Sequence, residues 1–524
     1  MSPSPLLRLV AGLIATLLAG CGGGGTARYT LGGTISGLVG AGLVVSDSNG
    51  GQFKASSNGS FSLPDAYASG SAYSVSVSTQ PTSSPPQYCA VTNSSGTFSN
   101  ANISNVAVSC HGPFVYFSPS GADILANTID VSTGALLPVA GSPFPSGGGA
   151  DNGNFTVDAA ARFAYVAYSD GNYISVLAID PGTGALAPVP GSPFAAGDGP
   201  QVVAIHPSGK FAYTANFRSN DVSAYAIDVA TGALTPVTGS PFPTSAGGGI
   251  GSFHGPSVLI DPSGSFAYVI NTNANNISAY LIDASTGALT VVAGSPFVTG
   301  PGPVDGAMDA RGRSLYVVAL DGIDAFTIDS TSGALTTMAG SPYGPLPLGS
   351  SIPALARITI DPSGRFVYVV CTNTAAVDEN GYNPSVLASY AIDPTTGQLL
   401  ALPASPQQIS PVRDEALTFA PAGTFAYLTE PEEQDIAVYS FGTATGALMP
   451  VSTLVDPNQP AYLAIDPSGT FAYGQSNGDE MQGILPFVDT YTINISTGAL
   501  TPVSSMSLPV GVGFFGYMTI AIPH

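Results

Sequence analysis

The sequence predicts an all-β protein: a β-propeller of four-stranded antiparallel blades preceded by a small β-sandwich. Two independent repeats and the overall composition predict it. The tetrapeptide Thr-Gly-Ala-Leu begins at Thr133, Thr183, Thr231, Thr286, Thr445 and Thr497, with variants beginning at Ser332 and Thr396. An aromatic-Ala/Val-Tyr triplet begins at Phe114, Phe163, Phe211, Phe266, Phe366, Phe425 and Phe471, with the variant Ser314-Leu-Tyr316. Both markers count eight units, and self-similarity at a period of about 50 residues is the mark of stacked supersecondary units. Hydrophobic residues make up 44% of the chain and charged residues 8%, alongside 64 Gly and 45 Pro. Disorder needs low hydrophobicity and dense charge, so this composition describes a folded, turn-rich β chain.

Residues 1–21 read as a targeting segment. Arg8 supplies a positive charge ahead of an apolar run from Leu9 to Leu18, which is too short to span a bilayer as a mature helix. The run ends Leu18-Ala19-Gly20-Cys21, which resembles the bacterial lipobox. That resemblance implies that Cys21 becomes the acylated N-terminus. Each buried CH₂ adds about 0.8 kcal/mol, so several acyl chains anchor where one does not. Residues 22–28 form a tether that opens on Gly22 to Gly25. Gly22, not Asp, follows the cysteine, so the expected address is the cell envelope, at the outer membrane in a Gram-negative cell.

Residues 29–110 alternate and turn often, as in Ser60-Phe-Ser-Leu63 and Ala72 to Ser78, with hairpin signals at Asn49-Gly50 and Asn58-Gly59. This is the expected β-sandwich, similar to carboxypeptidase regulatory-like modules. Cys89 and Cys110 fall inside it, and in an exported chain they are expected to form a disulfide worth on the order of 3 kcal/mol. Cys371 sits in the apolar run Phe366 to Cys371 and reads as a buried thiol.

Residues 112–524 carry the propeller. In the unit at 257–297, Ser257 to Ile260 is the inner strand and Asp261-Pro-Ser-Gly264 a tight turn. Proline presets φ there, glycine takes positive φ, and the aspartate bonds back to the backbone. Phe266 to Ile270 and Ile277 to Ile282 are the next strands, Asp283 to Gly287 turns the chain, and Ala288 to Ala293 is outermost. Gly294-Ser-Pro-Phe297 then leads to the next unit. The first unit lacks an inner strand, whereas Tyr517 to Ile522 has no unit of its own. Pairing the two removes both open edges. Eight blades result, with seven as the alternative if one unit is degenerate.

The run Asp361 to Tyr368 (Asp-Pro-Ser-Gly-Arg-Phe-Val-Tyr) and the Ile-Asp-x-x-Thr-Gly-x-Leu turns resemble the β-propeller lactonase family, which includes 6-phosphogluconolactonase-like proteins. The resemblance implies a hydrolase that opens a lactone ring, a carboxylic ester hydrolase needing no cofactor. Two departures stand against it. The family usually has seven blades, and of its paired histidines ahead of inner strands only His254 answers.

Loop lengths place the working face. The Asp-Pro-Ser-Gly and Asp-x-x-Thr-Gly turns hardly vary, whereas the connections on the opposite face do, such as Thr372 to Ser385 and Pro243 to Pro256. Variable loops on a rigid scaffold are where binding concentrates. Arg162, Lys210, Arg311, Arg313 and Arg365 fall in the constant turns and read as solvated turn residues. Arg218, Arg357 and Arg413 map to the variable face. Arg413 and His254 occupy matching positions just before an inner strand, and Gln201, Asp305, Asp414 and Glu415 join the same ring.

Arg357 and Arg413 suit a carboxylate or a developing oxyanion, and Glu415 or His254 suits a general base. A solvated network among Arg413, Asp414 and Glu415 is the alternative. Glu430, Glu432 and Glu433 make an acidic loop on the same face, for which a calcium role is an alternative although the spacing matches no metal loop, and no zinc pattern, phosphate loop or nucleophile elbow is present. With 33 acidic against 11 basic residues the net charge is −22, which excludes nucleic acid as a partner. The expected protein is a monomeric, membrane-anchored propeller that binds a small anionic ligand or an envelope protein on its variable face. Lactone hydrolysis is the alternative.

Overall fold

The computed structural model describes residues 27–83, 86–117, 123–147, 154–244, 258–344, 346, 356–372, 384–403, 405–410, 416–431, 433–476, 486–508 and 518–521. Among them the regular elements are all strands. Residues 28–111 form two four-stranded sheets. One orders Gly59–Ala68, Arg28–Ser36, Ile103–His111 and Tyr88–Thr92; the other orders Gln52–Ala55, Leu43–Asp47, Ala72–Thr79 and Ser95–Thr97. Alternate side chains of both meet in one core, with Leu31, Ile35 and Leu63 from the first and Leu43, Val45 and Val75 from the second. Period-two patterning puts every second residue of a strand on the buried face. Cys89 and Cys110 lie directly opposite on adjacent strands and are joined as a disulfide.

Asn49-Gly50 turns a hairpin between Leu43–Asp47 and Gln52–Ala55. Asn58-Gly59 does not: the strands on either side of it belong to different sheets. The Asn58 amide instead ties the crossing down, accepting the Leu38 N–H at 2.7 Å and donating to the Leu38 carbonyl at 3.2 Å. An Asn side chain can bond to backbone in either setting, so the dipeptide alone does not separate them.

Eight further sheets follow, each built in chain order from inner to outer strand. The fourth blade is typical: Val258–Ile260, Phe266–Asn271, Asn276–Ile282 and Leu289–Val291. The first blade is the exception. Its chain supplies Phe114–Phe117, Asp123–Ile129 and Leu136–Pro138, and its inner strand is Met518–Ala521 from the other end of the chain, with Ile520 opposite Val115. The count of eight and the closing strand are as the sequence predicts.

The two sequence repeats are the two halves of one joint between blades. In seven of the eight blades the second-strand tyrosine hydroxyl donates to the glycine carbonyl of the next blade's Thr/Ser-Gly turn, or its variant, as Tyr213 to Gly287 at 2.9 Å, Tyr268 to Gly333 at 2.9 Å and Tyr427 to Gly498 at 3.0 Å; Tyr165 of the second blade is the exception. The phenylalanine two residues earlier packs on that same glycine. A Cβ on Gly287, whose φ is +74°, would stand 2.4 Å from the Phe211 ring. Glycine is therefore required twice over, for the left-handed backbone and for the close approach. The joint also closes the ring: Tyr473 of the eighth blade donates to Gly134 of the first at 3.0 Å, and Phe471 packs on Gly134.

The Gly-Ser-Pro segment does not simply lead onward. In the first six blades the outer strand breaks at a cis Ser-Pro bond, as at Ser295-Pro296. The chain then returns to the third strand, where Phe297 pairs with Ile277. At the break the serine hydroxyl accepts the third-strand N–H that would otherwise lack a partner, as Ser295 Oγ does from Ala279 at 2.9 Å. The seventh and eighth blades lack Ser-Pro, and their outer strands run unbroken over Leu448–Val455 and Leu500–Ser507.

Candidate functional site

The variable face is where the inner strands begin, beside the central channel. Asp305, Arg357 and Tyr462 hold the same place in their blades, four residues ahead of the turn residues Asp309, Asp361 and Asp466. They sit on the inner strands Asp305–Met308, Ala356–Ile360 and Pro460–Ile465, of the fifth, sixth and eighth blades. The half-buried Arg357 reaches past the seventh blade. Its Nη2 donates to the Tyr462 hydroxyl at 3.0 Å, and its guanidinium carbon lies 5.1 Å from the Tyr462 ring centroid. Stacking on the ring face and the hydrogen bond together fix the guanidinium plane.

Asp305 is buried beside it. Its Oδ2 accepts the Ile358 N–H at 3.1 Å and its Oδ1 the Gly306 N–H at 2.9 Å. Burial pushes its carboxyl up to about 6, opposed by the two N–H groups and by the Arg357 charge. Above that pH it is a fixed negative charge that ties the fifth blade to the strand carrying Arg357.

Of the residues singled out in the sequence, Arg357 and Asp305 therefore lie on neighbouring inner strands, near enough for the Arg357 charge to act on the Asp305 carboxyl. His254, Arg413, Asp414, Glu415 and Glu432 lie outside the described residues, as does Cys21. Gln201 stands apart from the Arg357 group, its Nε2 3.4 Å from Ser169 Oγ. Arg218 is a clamp between exposed loops, donating to the Ser169 carbonyl at 3.0 Å and paired with Asp170 and Asp198. Glu430, Glu433 and Asp435 bring carboxylate oxygens within 4.8 Å of one another, and Glu430 is buried. This is a group that can hold a cation. Tyr462 is not visible as a site residue from its own surroundings. Aligning the eight units on their turn residues would have found it, because it shares the register of Arg357.

The constant face behaves as expected. Arg162 pairs with Asp158 at 3.2 Å and donates to the Val229 carbonyl of the next blade at 2.9 Å. Arg365 lies over the Phe366 ring, 5.2 Å from its centroid. These cations serve turns and blade joints.

Residues 188–349 match the family model described as lactonase, 7-bladed β-propeller. Over these residues the chain is similar to the lactonase-type β-propellers. The match runs from the end of the second blade's outer strand through the fifth blade. A search of the curated proteins finds no match for this lactonase-like chain. Among solved structures, the Pseudomonas aeruginosa periplasmic gluconolactonase PpgL is 17% identical, covering 67% of this chain and 98% of its own, with a TM-score of 0.49. A candidate 6-phosphogluconolactonase of Bacteroides fragilis is 16% identical over 78% of this chain and 98% of its own, with a TM-score of 0.49. The dihydro-heme d1 dehydrogenase NirN is 12% identical over 76% of this chain and 73% of its own, with a TM-score of 0.51. At such identities the NirN likeness speaks for the fold alone.

Proposed function

We propose that this lactonase-like propeller binds a small carboxylate-bearing ligand at the variable-face mouth of its channel, held to the cell envelope by acyl chains on Cys21. The observation that carries the reading is Arg357, half-buried at the channel and oriented by Tyr462. A guanidinium has five N–H donors in a planar fork, and a fixed plane suits the two oxygens of a carboxylate. The lipobox-like ending at Cys21 supports the anchor. Lactone ring opening is the second reading, and the match to the lactonase family model favours it. The same guanidinium would then stabilise the oxyanion formed when water attacks the ring carbonyl.

Calorimetric titration with gluconate, alongside hydrolysis of glucono-δ-lactone, separates these readings. Arg357→Ala should weaken gluconate by about 10- to 100-fold, the scale of losing hydrogen bonds to a charged group. If the protein is an enzyme, the variant should also lose about 10²–10³ in rate. Arg365→Ala, on the opposite face, should change neither. Equal effects from the two substitutions would remove the site. For the anchor, Cys21→Ser should release the protein into the soluble envelope fraction, and unchanged membrane association would refute it.

A further inference from the structure

The N-terminal module meets the propeller at a small joint, and the joint accounts for a glycine that the blade repeat does not. In the turn between third and outer strands, the residue two places before the repeated glycine is Ser, Ala or Thr in seven blades, as at Ser132, Ala230 and Thr395. In the second blade it is Gly182. Gly184 of the same turn is left-handed, at φ +74°, but Gly182 is not, so the turn itself does not require a glycine there. A Cβ on Gly182 would lie 2.9 Å from the Ala90 Cβ of the module. The requirement comes from the module seated against the turn.

Neighbouring groups close the joint. His111 ends the strand Ile103–His111, and its Nε2 lies 3.0 Å from the Pro181 carbonyl oxygen of that turn. Its ring stacks on Phe114, with centroids 4.4 Å apart. The Cys89–Cys110 disulfide braces both contacts, because Ala90 follows Cys89 and His111 follows Cys110 on the paired strands. Only Gly112 and Pro113 link the module to the first blade, and both are held. A Cβ on Gly112 would lie 2.2 Å from the Ile129 carbonyl oxygen, and the Pro113 carbonyl accepts the Ile129 N–H at 2.9 Å. The link offers no Gly/Ser stretch on which the module could swing.

These contacts set a direction. Pro181 and Gly182 belong to a constant-face turn, so the module is seated on the side opposite the channel mouth. Within the module, Arg28–Ser36 runs parallel to Ile103–His111, with Leu31 opposite Ile103 and Ser36 opposite Ser109. The chain therefore enters at the end of the module farthest from the joint, roughly 26 Å away at about 3.3 Å per residue.

We propose that the N-terminal module is a fixed spacer that carries the propeller by its constant face and turns the mouth beside Arg357 away from the point where the chain is tethered. Joined to the reading of Cys21 as an anchor, on which this step rests, the mouth opens away from the bilayer. Its ligand is then a dissolved solute of the envelope and not a membrane lipid.

The test puts a polyhistidine tag in place of residues 1–21 and binds the chain to vesicles that carry nickel-chelating lipids and acceptor dyes. A donor dye goes on Ala284→Cys, in the constant-face turn of the fourth blade, or on Asn273→Cys, in the variable-face loop of the same blade. Both positions are exposed, and the native cysteines that remain are bridged or buried. Energy transfer to the membrane should be greater from the Ala284→Cys dye. Gly182→Leu should diminish the difference, and Ala230→Leu, at the same turn position in the third blade, should leave it intact. Equal transfer from the two dyes, or more from the Asn273→Cys dye, overturns the proposal. So does a difference that survives Gly182→Leu or is lost with Ala230→Leu. The tag stands in for the acyl chains, so the orientation is read whether or not Cys21 is acylated, which the Cys21→Ser fractionation decides separately.

Discussion

Arg357 and Tyr462 divide the work at the channel mouth in a way that substitution can separate. Tyr462→Phe keeps the ring beneath the guanidinium and removes only the hydroxyl that accepts its N–H. That hydrogen bond orients the plane, so the variant should weaken gluconate by about three- to tenfold, less than Arg357→Ala. Calorimetry on both variants checks the order, and an equal or larger loss for Tyr462→Phe would contradict it. Asp305 was legible in the sequence as part of the ring ahead of the inner strands. Tyr462 was not, since an aromatic in a strand is ordinarily packing, and only its register with Arg357 marks it out. His254, Arg413 and Glu415 stand out in the sequence because they precede inner strands. That reasoning locates a face of the ring but does not fix where the side chains reach.

At the scale of the element, the repeated motifs are legible because they are joints. A strand triplet and a turn tetrapeptide that must fit each other cannot drift independently, so both recur eight times. The fifth blade shows the coupling: where Phe is replaced by Ser314, the partner Gly397 meets Ser314 Oγ instead of a ring. The broken outer strand was less legible, because Gly-Ser-Pro reads as a linker until the serine is seen to complete the ladder of the third strand. Two predictions belong here. Gly287→Ala forces a Cβ to 2.4 Å from the Phe211 ring at φ +74°, and should cost about 2–4 kcal/mol in urea unfolding. Tyr213→Phe removes the bond to the Gly287 carbonyl and should cost about 1–2 kcal/mol. A Gly287→Ala protein with unchanged midpoint would mean that the joint does not bear on stability.

At the scale of the whole molecule, buried carboxylates set the pH dependence. Burial raises the carboxyls of Asp305 and Asp324 to about 6 and that of Asp489 in the same direction. A carboxyl raised by folding holds its proton more tightly in the folded chain. Its contribution is therefore complete below the unfolded value near 3.8 and is lost as pH rises through about 6. The exposed turn aspartates run the other way: serine and threonine hydroxyls and N–H groups lower Asp283 to about 2 and also lower Asp130. Their contribution is lost only as pH falls below the ordinary carboxylate range. Between pH 7.5 and 5 the buried set decides. The melting temperature should rise on acidification, with about 1 kcal/mol from each of Asp305 and Asp324 at pH 5. A fall over that interval would contradict the assignment.

The site itself depends on ring closure, since Arg357 and Tyr462 meet only if the sixth and eighth blades are held in one closed circle. Closure rests on Met518–Ala521 pairing with Phe114–Phe117 and on the Tyr473–Gly134 joint. Removing residues 515–524 takes away the inner strand of the first blade and leaves the exposed strand edge as a template for association. The account predicts a lower melting temperature and concentration-dependent association by light scattering. A truncated protein that stays monomeric with an unchanged melting temperature would contradict it.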